Sequence, residues 1–153
     1  MKVCIGGTFN PLHRGHKTLI KKALETAGKK GLVFIGITSG DITKTKGEIK
    51  NFDQRKQNIE KYLIQEKISN KVKIEPIYDR FGPSIKGDFD AIVVSTETKK
   101  TAEEINKKRK KLGKKPLEII EIPLVLAEDG KPISSTRIRN KEIDENGKLI
   151  RRD

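Results

Sequence analysis

Only two histidines occur in this 153-residue chain, and they lie three residues apart. They close the stretch GGTFNPLHRGH, Gly6 to His16, which begins where a short apolar run ends. Residues of these types suit the handling of phosphate. Gly6 and Gly7 let backbone N–H groups come close to an anion. Thr8 adds a hydroxyl donor, Pro11 fixes a turn, and Gly15 leaves space beside His13 and His16. If a helix starts between the histidines, they share one face, and its N-terminus favours a phosphate. H-x-x-H is also half of a metal site. No further histidine exists, however, and Cys4 lies upstream in a strand-like run, so no metal-ligating residues are expected.

A second stretch, ISSTRIR from Ile133 to Arg139, places Ser134, Ser135 and Thr136 at a helix start. Alone it reads as an ordinary N-cap. Arg137 and Arg139 follow immediately and add phosphate-pairing charge. With the first stretch in the same chain, a second phosphate cradle is the better reading.

The elements that must position these residues alternate. KVCI (Lys2–Ile5) predicts a short buried strand. HKTLIKKALETAG has apolar residues at helical spacing, with Gly28 as C-cap. LVFIGIT (Leu32–Thr38) is a nearly continuous β-branched run, as in a strand covered on both faces. A polar loop follows, then a helix from about Phe52 to Lys67 with Ile59, Tyr62 and Leu63 inward. VKIEPIY, AIVVS (Ala91–Ser95) and LEIIEIPLVL predict three more strands. TETKKTAEEINKKRKKLG between the last two is a basic helix with Ala102, Ile105 and Leu112 on its thin apolar stripe. The tail from about 143 to 153 is polar and expected to fray. This order predicts one α/β domain over residues 1–153, with a parallel five-stranded sheet and helices on both faces. Such sheets bind ligands at the C-terminal ends of their strands, near the switch in strand order.

Charge is strongly basic, with 34 Lys and Arg against 21 Asp and Glu, a net +13. That field attracts phosphates without saying which. The run KKTAEEINKKRKKLGKK carries much of the excess and is expected to be a solvated helix face. The single cysteine precludes an internal disulfide. No signal peptide or membrane-length apolar stretch is present, so a cytoplasmic protein is expected. A basic nucleic-acid-binding module is the rival the charge suggests. Five Phe, two Tyr and no Trp leave few stacking platforms for it.

The two motifs together resemble the nucleotidyltransferase superfamily, whose HxGH signature is shared with class I aminoacyl-tRNA synthetases. GITSGDITKTKG, YDRFGP, DFDAIVVSTET, EINKKRKKLG and IPLVLAEDGKPISSTRIR, in order over nearly the whole chain, resemble the archaeal phosphopantetheine adenylyltransferases. The corresponding domain of eukaryotic coenzyme A synthase is similar too. The resemblance implies a Rossmann-like domain that transfers the adenylyl group of ATP to 4′-phosphopantetheine, with Mg²⁺, by in-line attack without a covalent intermediate. It implies ATP contacts at Gly6, Gly7, Thr8, His13, His16, Ser95, Thr96, Glu97, Thr98, Ser134, Ser135, Thr136 and Arg139. It implies acceptor contacts at Thr8, Phe9, Lys44, Lys46, Asp79, Arg80 and Gly82, with His16, Thr8, Lys44 and Lys46 at the reacting centre. Asn10 stands where these enzymes often have Asp. Another acceptor such as nicotinamide mononucleotide, or a cytidylyl donor, is therefore the alternative within the same chemistry. Oligomeric state is not legible.

Overall fold

A computed structural model describes residues 1–40 and 51–150. Lys44 and Lys46 lie outside the described residues. Strands and helices follow in the order β1 (Lys2–Gly7), α1 (Arg14–Ala27), β2 (Leu32–Thr38), α2 (Phe52–Gln65), β3 (Lys71–Ile77), β4 (Ala91–Ser95), α3 (Lys99–Lys111), β5 (Glu118–Ile122) and α4 (Ser135–Arg139). They build a five-stranded sheet of order β3-β2-β1-β4-β5 with every pairing parallel. The chain steps outward from β1 to β3 and then returns to β4 on the other side of β1. The switch in strand order thus lies between β1 and β4, where a parallel sheet opens a crevice at its C-terminal edge.

Strand alternation divides the core in two. Val3, Ile5, Val33, Ile35, Ala91 and Val93 face Ile20, Ala23 and Leu24 of α1 and Ile59 and Tyr62 of α2. Cys4, Phe34, Ile92 and Val94 face the other way, against Ala102 and Ile105 of α3 and the loop side chains Phe81, Ile85 and Phe89. Both faces are covered, but unequally. The β1–β2, β2–β3 and β4–β5 crossovers each carry a helix, whereas the β3–β4 crossover, residues 78–90, carries only a 3₁₀ turn at Gly82–Ser84.

Several boundaries differ from the sequence reading. β1 continues through Gly6 and Gly7, which pair with Gly36 and Ile37. β5 stops at Ile122 because Pro123 has no N–H for the ladder. Leu126 instead bridges Pro132 across the turn Ala127–Lys131. On α3 the buried stripe is Ala102, Ile105 and Arg109, while Leu112 is more than half exposed. Spacing of three and four puts Arg109 on this stripe, while Leu112, next in the same spacing, is the C-cap beyond the last helical residue, Lys111.

The fraying expected from about 143 onward is also corrected as far as residue 150. Ile143 is fully buried in a small cluster with Ala127 and Ile133. Asp144 N–H donates to the Lys148 carbonyl, Ile150 N–H to the Glu142 carbonyl, and Leu149 N–H to Glu128 Oε2. One apolar residue anchors this polar stretch by burying its whole side chain against Ala127 and Ile133. Among the described residues no helix is long and apolar enough to cross a membrane.

Ile143→Ala is expected to cost about 2–5 kcal/mol, the range for truncating a buried aliphatic side chain. Urea unfolding measures it; a loss near zero would mean that the tail carries no stability.

Candidate active site

Two cavities open at the C-terminal edge of the sheet. The larger has a volume of about 580 Å³ and runs from His13 and His16 on α1 to Ser134, Ser135, Thr136 and Arg139 on α4. The smaller, about 230 Å³, lies on the α3 face among Phe34, Ile77, Phe81, Ile92, Val94 and Ile105. Gly6, Gly7, Thr8 and Thr98 line both. The first loop is therefore the shared wall, and it is mostly backbone.

The histidines are locked by the helix they begin. His13 is the N-cap of α1, with Nδ1 accepting from Gly15 N–H at 3.0 Å and His16 N–H at 3.3 Å. His16 Nδ1 accepts in return from His13 N–H at 3.3 Å. This is a capping box built from two imidazoles. The rings stack with centroids 3.7 Å apart and planes 18° from parallel. Because each Nδ1 accepts, each ring carries its proton on Nε2 when neutral. Burial lowers the His13 pKa from 6.5 to about 4. Burial, then the neighbouring His13, hold His16 well below its ordinary value too. Both are neutral donors near pH 7. Gly15 is required by this arrangement, since a Cβ there would stand 2.8 Å from His13 Cε1.

The cap changes what the helix start offers. Arg14 N–H donates to the Glu145 carbonyl, Gly15 and His16 N–H to His13, and Lys17 N–H to the His13 carbonyl. The first-turn amides expected to receive a phosphate are already used. Both imidazoles line this end of the larger cavity, with Nε2–H the donor each ring keeps beyond the cap.

Three residues hold the shared wall. Thr38 Oγ1 donates to Thr8 Oγ1 at 3.0 Å. Arg55, 3% exposed, donates from Nη1 to the carbonyls of Thr38 at 2.6 Å and Thr8 at 3.1 Å. One guanidinium thereby ties the C-terminal ends of β1 and β2. Arg139 Nη1 donates to the Asn10 carbonyl at 2.7 Å, joining α4 to the first loop. The sequence reading missed Thr38 and Arg55. Arg55 had a signal, because it shares the stripe of Ile59 and Tyr62 at spacings of four and three.

The remaining expected residues divide. Ser95 and Glu97 line the larger cavity and Arg80 the smaller. Thr96 lines neither. Phe9 also lines neither. It is fully buried with φ +51°, its ring 4.7 Å from that of His16, and a Cβ on Gly7 would stand 3.2 Å from it. An aromatic side chain here finds more to bury below the loop than above it, and that contact supports His16. Asp79 Oδ1 accepts from Phe81 N–H at 2.9 Å and Gly82 N–H at 2.7 Å, and Gly82 has φ +54°. Both shape the turn and line neither cavity. Arg137, with Nε on Glu142 and Nη2 on Asp129, is spent within the C-terminal segment. Sequence reading also passed over Pro123, Leu124 and Val125, which give the larger cavity an apolar side. Burial raises the Cys4 thiol to about 12, which leaves it an inert lining group.

Residues 4–141 match the cytidylyltransferase-like family model. The chain belongs to that family. It is 47% identical to a phosphopantetheine adenylyltransferase of Methanosarcina acetivorans, over 98% of this chain and 96% of the relative. It is 41% identical to one of Archaeoglobus fulgidus, over 98% and 100%. A solved Archaeoglobus fulgidus structure, described as a protein with unknown function, superimposes with a TM-score of 0.72 at 36% identity, over 80% of this chain and 89% of that one. In this chain the C-terminal edge of the parallel sheet, at the switch between β1 and β4, holds both histidines and both cavities.

The histidines also set a pH dependence. Folding lowers the His13 pKa from 6.5 to about 4, so the unfolded chain binds more protons between those values. Stability from His13 is complete above about pH 6.5 and lost as pH falls toward 4. His13→Asn keeps a good N-cap and removes that titration. Urea midpoints of the wild type should fall relative to His13→Asn as pH drops through this window. Parallel curves would show that His13 titrates as it does unfolded.

Proposed function

We propose that this chain transfers the adenylyl group of ATP to 4′-phosphopantetheine, giving dephospho-coenzyme A and pyrophosphate. The observation that carries the reading is the pair of cavities sharing the wall Gly6–Thr8. One is wide and rimmed by imidazoles, hydroxyls and Arg139, as a nucleoside triphosphate requires. The other is narrow, with Arg80, Thr98 and Thr101 in a mostly apolar lining, which suits a slender arm carrying amides and a hydroxyl. Each substrate then brings its phosphate to the same strip of backbone. High identity to phosphopantetheine adenylyltransferases over nearly their whole length supports this acceptor.

The reaction is an in-line displacement. An oxygen of the acceptor phosphate attacks the α-phosphorus of ATP, the new P–O bond forms, and the bond to the bridging oxygen breaks with its electrons leaving on pyrophosphate. The acceptor is already anionic at neutral pH, so no general base is needed. The chain contributes positioning and stabilisation of charge on the α- and β-phosphate oxygens. His16 Nε2–H donates to the α-phosphate and His13 Nε2–H to the neighbouring oxygens. Neutral imidazoles donate here without a proton transfer. Thr8, its hydroxyl oriented by Thr38, and the Gly6–Gly7 backbone hold the acceptor phosphate. Ser134, Ser135, Thr136 and Arg139 hold the β- and γ-phosphates. Ser95, Glu97 and Thr98 bound the nucleoside side. Lys44 and Lys46 are assigned to the acceptor phosphate by the family resemblance alone. Mg²⁺ enters with ATP as substrate. Among the described residues no three His, Cys, Asp or Glu side chains cluster, and phosphate oxygens and water suit this ion.

The test is pyrophosphate release with ATP, Mg²⁺ and 4′-phosphopantetheine, beside nicotinamide mononucleotide as acceptor and CTP as donor. Turnover is expected with ATP and 4′-phosphopantetheine alone. His16→Ala should lower kcat on the order of 100- to 1000-fold, the usual cost of removing one such donor. Near-normal turnover by that variant would remove His16 from the reacting centre.

A further inference from the structure

The smaller cavity exists because the β3–β4 crossover has no helix. A βαβ crossover ordinarily lays a helix across the sheet face it passes. Here residues 78–90 make that passage with one 3₁₀ turn, and the face beneath them, Phe34, Ile77, Ile92 and Val94, is buried but borders the smaller cavity. A crossover without a helix lacks a helix's internal hydrogen bonds, so its buried carbonyls need donors from elsewhere.

Arg109 supplies them. It is 5% exposed on the inner stripe of α3, beside Ala102 and Ile105. Its Nη1 donates to the carbonyls of Ser84 at 3.0 Å, Ile85 at 3.2 Å and Gly87 at 2.9 Å. Its Nε donates to the Lys115 carbonyl at 2.8 Å. The same helix grips the crossover twice more from outside. Glu104 pairs with Arg80 at 2.7 Å, and Lys108 Nζ lies 5.5 Å from the centroid of the Phe81 ring. Arg80, Phe81, Pro83 and Ser84 line the smaller cavity, and no residue of 78–90 lines the larger one. Arg109 itself lines neither.

We propose that Arg109 is a positioning residue for the acceptor: it fixes the helix-free crossover as the outer wall of the smaller cavity and so sets the affinity for the acceptor's arm without touching it. This rests on the smaller cavity's being the acceptor's. A guanidinium is suited to the task because Nη1 meets the crossover carbonyls while Nε on the same planar head holds the Lys115 carbonyl, a two-point fix that an ammonium cannot reproduce. The segment expected from sequence to be only a solvated basic face therefore carries, on its hidden side, the residue that shapes the site.

Steady-state pyrophosphate release tests it, varying each substrate at saturation of the other. Arg109→Lys should raise the KM for 4′-phosphopantetheine about tenfold or more, in line with losing hydrogen bonds to a charged donor. KM for ATP should stay within about twofold, because the larger cavity does not use the crossover. Gly87→Ala strains the same wall without altering Arg109, since its Cβ would stand 2.5 Å from the Pro83 carbonyl oxygen, and should give the same split. Asn106→Ala is the control. Asn106 is bonded to the N–H and carbonyl of Leu117 at the entry to β5 and does not touch the crossover. It should lower Tm and leave both KM values alone. Equal rises in both KM values, or an unchanged acceptor KM in either crossover variant, overturns the role of Arg109. A wild type silent with 4′-phosphopantetheine but active with another acceptor overturns the functional reading instead.

Discussion

A strip of backbone three residues long must serve two cavities at once, and most of the architecture follows from keeping it thin and fixed. Gly6, Gly7 and Thr8 border both spaces. A side chain at Gly6 would point at Ile77, in the wall of the smaller cavity, and one at Gly7 would meet the buried Phe9 ring. Glycine pairs are poor strand formers, so the strip needs support from outside. It receives that support from β2, which pairs with Gly6 and Gly7, from Thr38, and from the Arg55 guanidinium on the Thr8 and Thr38 carbonyls. Below it lies Phe9, held at a positive φ that its complete burial sustains.

Bringing two phosphates to one place is the electrostatic problem such a strip must solve. Two unit charges 4 Å apart repel by about 4 kcal/mol at an effective dielectric of 20. Neutral imidazoles answer only part of this. They stabilise charge locally as donors, but the field must come from cations. Arg139 borders the larger cavity and Arg80 the smaller. Their surroundings differ. Arg139 is committed to the Asn10 carbonyl through one nitrogen, while Arg80 leans on Glu104. The net +13 is larger than the site requires, and catalysis does not account for its excess on the outer face of α3.

Fold was legible where periodicity was strong. The β-branched runs predicted the strands, and the apolar stripes of α1 and α2 predicted their inner faces. The two phosphate motifs were legible by residue type. What sequence could not supply was direction. Phe9 turns into the core rather than into a cavity, Asp79 folds onto its own turn, and His13 commits its Nδ1 to capping α1, keeping only Nε2–H as a donor. Each choice depends on neighbours remote in sequence or on a local hydrogen bond that competes with the expected one. Ile143 was misjudged because a polar segment was read by average composition, when one buried side chain and a few backbone bonds decide its order.

The two buried arginines share a lesson about α/β sheets of this size. Arg55 and Arg109 occupy apolar stripes at helical spacing, where an aliphatic residue would pack as well and avoid desolvating a charge. Both reach carbonyls that regular structure leaves unpaired: strand ends in one case, a crossover lacking a helix in the other. A cavity at the edge of a sheet necessarily interrupts secondary structure, and interruption strands polar backbone groups out of reach of water. A guanidinium serves several such groups from one side chain. An arginine out of place on a helix's inner stripe is then a mark of nearby backbone held open. In this chain neither arginine lines either cavity: one sits beneath the strip the substrates would share, and one behind the wall facing it.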